Sequence, residues 1–582
     1  MKTNRSTESN VQRWQLGSAK LIFGVALVLF VGLAVRLVYI NTVMSKRLLD
    51  IAESQQRSRL AIDARRGTIL DVRGRLLAGS RPRYSVYADP AIIEQPDEVA
   101  RMLGSVLEVD PGVLENEIRS SSTPRFCWLE RLIDDAQADA IRSMHIYGIG
   151  MRSEFERYWP MDETAAHVLG FVGADGHGLG GLEMRFDEHL SGKPGYRTTL
   201  RDARRRAIGG EASRIVAPQD GGHLVLTIDS VIQHIVEKRL AEQVEQYNAE
   251  NGIAIVMNPR TGEILAMACV PTFNPNHYND FAVSLRRNRV VTDPVEPGSV
   301  FKPFIAAVAL EQGFVGPREL IDCHNGLYNF DGRLMNDSSP HGEMNIRDII
   351  AYSSNIGMGI IGTRMGDEAL YAAVKRFGFG TKTQIGIAGE SGGIVYDTDR
   401  WSSYSKTSVP MGQELAITPI QLVTAFSSFF NGGYLLRPRL VRSQLRADFT
   451  TEESFVEPEI IRRVVPEDIA HYMATQALPA VVARHRPELD VAEYPTAGKT
   501  GTAQVPHSDK GGYEHNAYLS SFIAGAPYDD PQIVVLVMIR KPEYALGHLG
   551  YEVAGPAVRD ITRSTLQYLQ VPPANTQASA MP

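Results

Sequence analysis

A serine and a lysine that lie three residues apart, Ser299 and Lys302, could act as a nucleophile and its base. The breakers Pro297 and Gly298 precede Ser299 and an apolar run follows, which predicts a helix N-terminus whose free amides suit a developing oxyanion. Residues three apart share a helix face, so the Lys302 amine could reach the Ser299 hydroxyl. A nucleophilic serine needs such a base, and lysine can serve only if desolvation or nearby positive charge lowers its pKa. The pair is compatible with covalent acyl transfer, but the spacing taken alone favours a capping serine beside a surface lysine.

A second polar pattern, Ser353-Ser-Asn355, follows a run that predicts a helix over 346–352. Clusters of serine and asparagine usually form caps or turns, and that remains the alternative here. At the end of a helix, however, the side chains of Ser353 and Asn355 could face the same site as Ser299.

A third pattern, Lys499-Thr500-Gly501 followed by Thr502, opens a run that predicts a strand over 500–505. Glycine inside a strand often marks the close approach of a ligand or of another backbone. A lysine and two hydroxyls beside that glycine could hold a substrate carboxylate. The alternative is a surface turn with a solvated lysine, and the order of the three patterns within one domain favours the site.

The predicted secondary-structure elements that position these residues indicate an α+β domain. Strands from both ends of the domain form one sheet, and a helical insert lies between them in the sequence. The segments between these elements carry turn residues and breakers. The predicted elements are a strand at 224–228, a helix opened by a capping box of Ser230 and Gln233, hairpin strands at 253–257 and 264–268, strands at 517–524 and 533–539, a mostly helical stretch from 300 to 480, and a final helix from Pro556.

The N-terminus carries an apolar segment, 21–40, that is interrupted only by Arg36. Its 20 residues are about the length that a helix needs to cross a bilayer core of ~30 Å. Basic residues precede the segment, so the N-terminus is expected in the cytoplasm and the remainder outside it. A cleaved signal peptide is the alternative, but the stretch is long and no clear small-x-small site follows. We predict a cytoplasmic tail at 1–17 and a single transmembrane anchor at 18–40.

Charge and cysteine content limit the possible functions, and segments rich in arginine and glycine indicate the remaining domain boundaries. The net charge of −7 gives no reason to expect nucleic-acid binding, and three cysteines without a Cys-x-x-Cys pair do not form a disulfide framework. The arginine-rich segment 201–206 and the glycines after it predict an inter-domain connection. We expect one domain at 41–215, the catalytic domain at 216–570 and a disordered tail at 571–582. No cofactor and no metal are expected.

The three patterns, in this order, resemble those of serine β-lactamases and penicillin-binding proteins. Further motifs make the resemblance specific to the class B penicillin-binding proteins, the monofunctional transpeptidases, and it covers residues 18 to 570. Those motifs are Arg66-Gly-Thr-Ile-Leu-Asp71, Arg157-Tyr-Trp-Pro160, His167-Val-Leu-Gly170, Gly180-Gly-Leu-Glu183, Thr261-Gly-Glu-Ile-Leu-Ala-Met267, Asn274-Pro-Asn276, Gly412-Gln413 and Thr418-Pro419. The resemblance implies a membrane helix, an elongated pedestal or dimerisation domain, and an antiparallel sheet flanked by helices with a helical subdomain.

The resemblance also implies a role for each site residue. Ser299 would form the acyl-enzyme, Lys302 would be its general base and Ser353 would relay protons to and from the leaving amine. Asn355 would hold the substrate amide, and Lys499 would support Ser353 electrostatically.

The remaining implied roles concern the substrate. Thr500, Gly501 and Thr502 would bind the terminal carboxylate of a peptidoglycan stem peptide, and the backbone amides of Ser299 and Thr502 would form the oxyanion hole. Penicillins would acylate Ser299 as substrate mimics. One departure from the pattern is Glu414, where many relatives carry glycine, which could change the shape of the site.

The sequence thus predicts a transpeptidase in the bacterial inner membrane, with its catalytic domain on the periplasmic side. Several alternatives to this function remain open. A D,D-carboxypeptidase or β-lactamase would need a positioned water, and no Glu-x-x-x-Asn segment follows Ser353. A non-catalytic scaffold of a division complex is disfavoured by the intact Ser299, Lys302 and Lys499. By family analogy alone, the segment 296–303 favours the division enzyme over the elongation enzyme. That role would imply a SEDS-type glycosyltransferase and other division proteins as partners.

Overall fold

The computed structural model of the 582-residue chain describes residues 5–48, 57–200, 214–507 and 510–574. The arginine-rich segment 201–206 and residues 575–582 of the predicted disordered tail lie outside these ranges. The chain divides into two compact units: Met1–Ala64 with Lys193–Gln219, and Arg65–Gly192 with Asp220–Pro582.

The first unit contains the apolar N-terminal helix. An α-helix spans Arg5–Tyr39 and continues as a π-helical turn over Ile40–Met44. The stretch Arg13–Leu48 is long and apolar enough to cross a membrane, and its apolar side chains are exposed. The same unit holds a three-stranded antiparallel sheet of Arg57–Ile62, Gly195–Leu200 and Arg214–Val216.

The second unit contains a seven-stranded sheet, with five strands from before residue 230 and two from between residues 441 and 454. Three helices pack with it around a separate apolar core. Its strands are Ile69–Leu70, Leu76–Ala88, Cys127–Ile133, Ile149–Tyr158, His223–Leu226, Val441–Leu445 and Thr451–Ser454; the three helices are Pro96–Leu107, Pro111–Ser120 and Asp135–Met144, and the short helices Ala166–Leu169, Gly181–Arg185 and Asp187–Ser191 follow them.

A buried ionic cluster ties the family-like motifs of this region together. The guanidinium of Arg66 lies 2.7 Å from one oxygen of Glu183, and that of Arg157 lies 2.6 Å from the other. Asp187 adds a second carboxylate, 2.6 Å from Arg66. The side chain of Glu183 is fully buried, and it neutralises two guanidinium groups that are themselves almost entirely buried.

Replacing Glu183 with alanine is expected to lower the free energy of unfolding by about 3–5 kcal/mol, because two buried guanidinium groups lose their shared carboxylate. Urea unfolding of the full chain in detergent measures this change. Asp97→Ala, which breaks the exposed i,i+4 pair with Arg101, is the control and should cost less than about 1 kcal/mol. Equal losses for the two variants would contradict the structural role of the cluster.

The catalytic half is built on a five-stranded antiparallel sheet, as the sequence predicted. Its strand order is Ile264–Val270, Asn251–Met257, Ile533–Arg540, Tyr513–Ala526, Ala497–Pro506. The helices Ser230–Gln246 and Gly555–Tyr568 share a core with one face of the sheet, and the helical insert shares a second core with the other face. Both predicted strand pairs and the final helix are therefore confirmed.

The stretch between 300 and 480 is less uniformly helical than predicted, because short two-stranded ribbons interrupt it. Its helices are Lys302–Glu311, Ile346–Tyr352, Asn355–Arg376, Ser405–Ser408, Pro419–Ser427, Glu467–Tyr472 and Leu478–Arg484; its short strands are Ile321–Asp322, Leu327–Phe330, Arg333–Asn336, Glu343–Met344, Tyr434–Leu436 and Ile460–Arg463. The short helix Arg289–Thr292 precedes this stretch, and the short helices Arg486–Leu489 and Gly550–Val553 follow it.

The predicted capping box of Ser230 and Gln233 is wrong. The N-cap of the helix is Asp229, whose carboxylate accepts the Val231 N–H. The Gln233 side chain instead exchanges two 2.8 Å hydrogen bonds with the backbone of Met267. A long-range partner on the sheet therefore takes the side chain that local spacing assigns to the cap.

Candidate active site

Ser299 lies in a short 3₁₀-helix, Gly298–Phe301, that leads directly into the α-helix Lys302–Glu311. The backbone N–H of Lys302 donates to the carbonyl of Ser299, which closes a three-residue turn. In a 3₁₀ turn, residues three apart eclipse each other, so Ser299 and Lys302 share one face. Gly298 has φ of 58° and its N–H donates to the Gly412 carbonyl at 3.1 Å, which fixes the entry to this turn.

The helix that carries Lys302 is held by aromatic packing. Phe301 and Phe304 are fully buried, and their rings contact Phe377, Phe379, Phe426 and Phe429 at centroid distances of 4.9 to 6.3 Å. The Lys302 side chain is itself fully buried. A lysine in this apolar setting cannot reach bulk water, so its amine must find partners within the protein.

Ser353 occupies the sharp turn between two helices. The helix Ile346–Tyr352, whose bounds match the prediction, ends at Ser353 in a left-handed conformation with φ of 57°. Ser354 then caps the helix Asn355–Arg376 by accepting the Gly357 N–H at 2.9 Å. The middle serine of the pattern is thus the capping residue, and Ser353 and Asn355 are free to point elsewhere.

Lys499 lies on the strand Ala497–Pro506 at the edge of the five-stranded sheet. Gly501 is the point of close approach that the sequence predicted: a Cβ there would lie 2.9 Å from the Val300 side chain and 3.3 Å from the Pro297 carbonyl. A Cβ there would also lie 2.5 Å from Ser521 Oγ on the neighbouring strand, so glycine relieves crowding against both the strand and the segment that carries Ser299.

The two lysines converge on one hydroxyl. The Lys302 amine lies 3.2 Å and the Lys499 amine 3.0 Å from Ser353 Oγ. Lys302 also donates to the Ser353 carbonyl at 2.5 Å and to Asn355 Oδ1 at 2.8 Å, and Lys499 donates to the Thr500 carbonyl at 3.0 Å. Four residues that the sequence placed in one site, from all three patterns, therefore form one hydrogen-bonded cluster.

Both amines are made easier to deprotonate by their surroundings. Burial lowers the pKa of Lys302 to about 7, against the opposing attraction of Asp337. Burial holds the pKa of Lys499 well below its usual value, and the positive charges of Lys302 and Arg484 lower it further. A lysine can act as a base only where desolvation or nearby positive charge lowers its pKa, and this condition is met at both positions.

The side chains of Ser299 and the two threonines of the third pattern lie outside this hydrogen-bonded cluster. Among the residues that the structure describes, the Ser299 hydroxyl makes no hydrogen bond to either lysine. Strand alternation places Thr500 and Thr502 on the face opposite Lys499 and Gly501. The Thr502 hydroxyl oxygen accepts the Gly550 N–H at 2.9 Å, and both threonines are half-buried.

Two residues near the cluster were not predicted. Asp337, at the end of the short strand Arg333–Asn336, accepts hydrogen bonds from the turn around Ser354. Arg484, which is exposed as a whole, donates to the Ala351 carbonyl at 3.0 Å and lies over the Tyr352 ring. Neither residue belongs to a recognisable sequence pattern. For Asp337 the sequence shows only an acidic residue before a polar loop, which does not identify a site residue.

The unusual Glu414 is also placed by the structure. Its φ of 62° lies in the left-handed region, where glycine is favoured. Its carboxylate accepts the Ser405 hydroxyl, and its N–H donates to Glu296 at 3.2 Å. Glu414 therefore adopts the conformation that suits glycine and adds a carboxylate close to the nucleophile segment.

The cluster has the parts for proton transfer coupled to nucleophilic attack. A serine at a helix tip shares a helix face with one amine of lowered pKa, and a second hydroxyl joins that amine to another. Such a chain can take a proton from an attacking group and return it to a leaving group.

Comparison with known families matches both halves of the chain. Residues 252–563 match the penicillin binding protein transpeptidase domain, and residues 61–226 match the penicillin-binding protein dimerisation domain.

Individual relatives match over almost the whole chain. PbpC of Pseudomonas aeruginosa, a probable peptidoglycan D,D-transpeptidase, is 32% identical and the match covers 96% of this chain and 97% of the relative. Stage V sporulation protein D of Bacillus subtilis is 32% identical over 96% of this chain and 86% of its own. The peptidoglycan D,D-transpeptidase FtsI of Escherichia coli is 30% identical over 95% of this chain and 92% of its own.

Solved structures give the same result. A peptidoglycan synthetase from Bifidobacterium adolescentis superposes with a TM-score of 0.71 at 26% identity, covering 89% of this chain and 98% of that one. Penicillin binding protein 3 from Mycobacterium tuberculosis, complexed with aztreonam, superposes with a TM-score of 0.68 at 27% identity, covering 88% and 98%.

Proposed function

The chain belongs to the class B penicillin-binding proteins, and from this premise we propose that it is a peptidoglycan D,D-transpeptidase that works through an acyl-enzyme on Ser299. The observation that carries the proposal is the convergence of the Lys302 and Lys499 amines on Ser353 Oγ, at 3.2 and 3.0 Å, beside the turn that bears Ser299. Both amines are fully buried, and burial lowers the pKa of each.

In the first step, the Ser299 oxygen attacks the carbonyl carbon that precedes the terminal D-amino acid of a donor stem peptide. The hydroxyl proton passes to the neutral amine of Lys302. The peptide C–N bond then breaks, and the leaving amine receives that proton through the Ser353 hydroxyl. The product is an ester between Ser299 and the donor peptide.

In the second step, an amine of a neighbouring stem peptide attacks this ester. A new amide bond forms, the C–O bond to Ser299 breaks, and the proton of the amine returns to Ser299 through the same cluster. Asn355 is proposed to hold the donor amide, and Thr500, Gly501 and Thr502 to bind its terminal carboxylate. The backbone amides of Ser299 and Thr502 are the proposed oxyanion hole.

Penicillins are the proposed inhibitors, because their strained amide would acylate Ser299 by the first step alone. Intact-mass spectrometry of the full chain after penicillin treatment is expected to show one adduct, and peptide mapping should locate it on Ser299. A second assay supplies a stem pentapeptide with a D-amino acid as acceptor. Exchange of the terminal residue indicates a transpeptidase, whereas release of the residue without exchange indicates the D,D-carboxypeptidase alternative.

The apolar N-terminal helix supports a location of this reaction at the inner membrane. We propose that the helix within Arg13–Leu48 spans that membrane once, with the N-terminus in the cytoplasm and the catalytic domain on the periplasmic side. Of the processes that use such an enzyme, we favour septal wall synthesis with a SEDS-type glycosyltransferase and division proteins as partners. Depletion of the protein that produced rounded cells rather than filaments would instead assign it to elongation.

A further inference from the structure

We propose that Asp337 is a positioning residue for the proposed transpeptidase reaction. It holds the turn that carries Ser353 and Asn355, and its negative charge attracts the Lys302 amine toward that turn. The inference rests on the proposed function. Asp337 touches neither Ser299 nor a reacting atom of the proposed steps, so it would act only through the residues that it holds.

The geometry of the Asp337 carboxylate is that of a cap for the whole turn. Its Oδ1 accepts the backbone N–H groups of Asn355, at 2.5 Å, and Ile356, at 3.0 Å. Its Oδ2 accepts the Ser354 hydroxyl at 2.5 Å. One side chain therefore satisfies two amides at the start of the helix Asn355–Arg376 and orients the serine between the two proposed catalytic residues.

The backbone beside Asp337 joins the same turn. The Asn336 carbonyl accepts the Asn355 side-chain amide at 3.2 Å, and the Asp337 N–H donates to the Gly326 carbonyl at 3.0 Å. Because the side-chain N–H of Asn355 donates to the Asn336 carbonyl, Asn355 turns its side-chain oxygen toward the Lys302 amine, at 2.8 Å. The end of the ribbon thus fixes which atom of Asn355 faces the lysine.

The charge of Asp337 adds to this geometry. Burial lowers the pKa of Lys302, and the negative charge of Asp337 raises it in opposition. Basic groups also face the cluster: Lys499 from its strand, with Arg484 and His485 from the helix end beside it. The charge of Asp337 opposes theirs, and together with that of Asp322 it also acts on the buried thiol of Cys323.

Two substitutions separate the cap from the charge. Asp337→Asn keeps an oxygen for the Asn355 and Ile356 amides and offers an amide group to the Ser354 oxygen, but it removes the charge. Asp337→Ala removes both. The readout is the rate of penicillin acylation of the full chain in detergent, measured by mass spectrometry from pH 5 to pH 9.

For Asp337→Asn, the midpoint of the pH–rate profile is expected to fall by about one pH unit, because the Lys302 ammonium loses a nearby negative charge and gives up its proton more readily. The maximal rate should change little. For Asp337→Ala, the maximal rate is expected to fall about 10- to 100-fold, because buried amides at the turn lose their acceptor. A merely structural residue would change the amplitude without moving the midpoint.

Asp322→Asn is the matched control, since Asp322 is an exposed carboxylate that accepts the His324 N–H on the neighbouring ribbon. Its profile should coincide with that of the wild type. An unmoved midpoint in Asp337→Asn, an equal shift in Asp322→Asn, or a normal maximal rate in Asp337→Ala would each overturn the inference. Absence of any adduct on the wild-type chain would instead overturn the proposed function, so the two failures are distinguishable.

Discussion

Replacing Ser299 with alanine is expected to abolish the covalent penicillin adduct and to lower the rate of stem-peptide exchange by about 10³-fold or more. The variant lacks the only atom from which the proposed acyl-enzyme ester can form. The 3₁₀ turn should persist, because its closing hydrogen bond uses the Ser299 carbonyl rather than the hydroxyl. Binding of penicillin without reaction could remain, since the other residues of the cluster are unchanged.

Intact-mass spectrometry with a molar excess of penicillin measures the adduct directly. Ser284→Ala, which removes an exposed hydroxyl from a loop, is the control and should be acylated like the wild type. An adduct of full occupancy on the Ser299→Ala chain would mean that another residue is the nucleophile. That result would refute the proposed mechanism while leaving the family assignment intact.

The parts of the site that could be predicted are those fixed by local periodicity. The helix Ile346–Tyr352 was predicted with the bounds that it has, because its apolar residues and the polar turn after it define both ends. The same holds for Gly501, since a glycine within a strand pattern has few explanations other than close approach. The bounds of the helix depend on neighbours in sequence; at Gly501 the glycine marks a close approach, but its partners Val300 and Pro297 are distant in sequence.

The features that could not be predicted depend on partners that are distant in sequence. Gln233 was assigned to a capping box, but the backbone of Met267, on the adjacent strand, takes its side chain. Asp337 reaches the turn at Asn355 from a short, mostly exposed ribbon whose strands carry little apolar periodicity. No pattern in one sequence distinguishes such a carboxylate from a solvated one.

The electrostatics of the cluster bear on the role that the resemblance implies for Lys499. The resemblance assigns Lys499 to electrostatic support of Ser353, which suggests a charged amine. In the structure, burial lowers the pKa of Lys499, and the positive charges of Lys302 and Arg484 lower it further. Two amines this close to one hydroxyl titrate as a coupled pair, so near neutral pH the cluster holds fewer protons than two independent lysines would. A neutral amine is then available to accept the proton of the Ser299 hydroxyl.

Replacing Lys302 with methionine is expected to slow penicillin acylation by about 10²- to 10⁴-fold and to flatten its pH dependence. The base must be neutral, and the pKa of Lys302 is lowered to about 7 by burial. The wild-type rate should therefore rise as the pH increases through about 7, as the ammonium loses its proton, and level off above it. Methionine preserves an unbranched apolar stem in the same buried space but offers no site for the proton.

Stopped-flow or quenched-flow measurement of acylation from pH 5 to pH 9 tests both parts of this prediction. Lys238→Met, on the exposed side of the helix Ser230–Gln246, is the control and should keep the wild-type profile. If Lys302→Met retained the rise near pH 7, the titrating base would be another group, and Lys499 would be the next to replace. A rate close to that of the wild type at every pH would remove Lys302 from the mechanism altogether, because no burial or charge argument could then assign it the proton from Ser299.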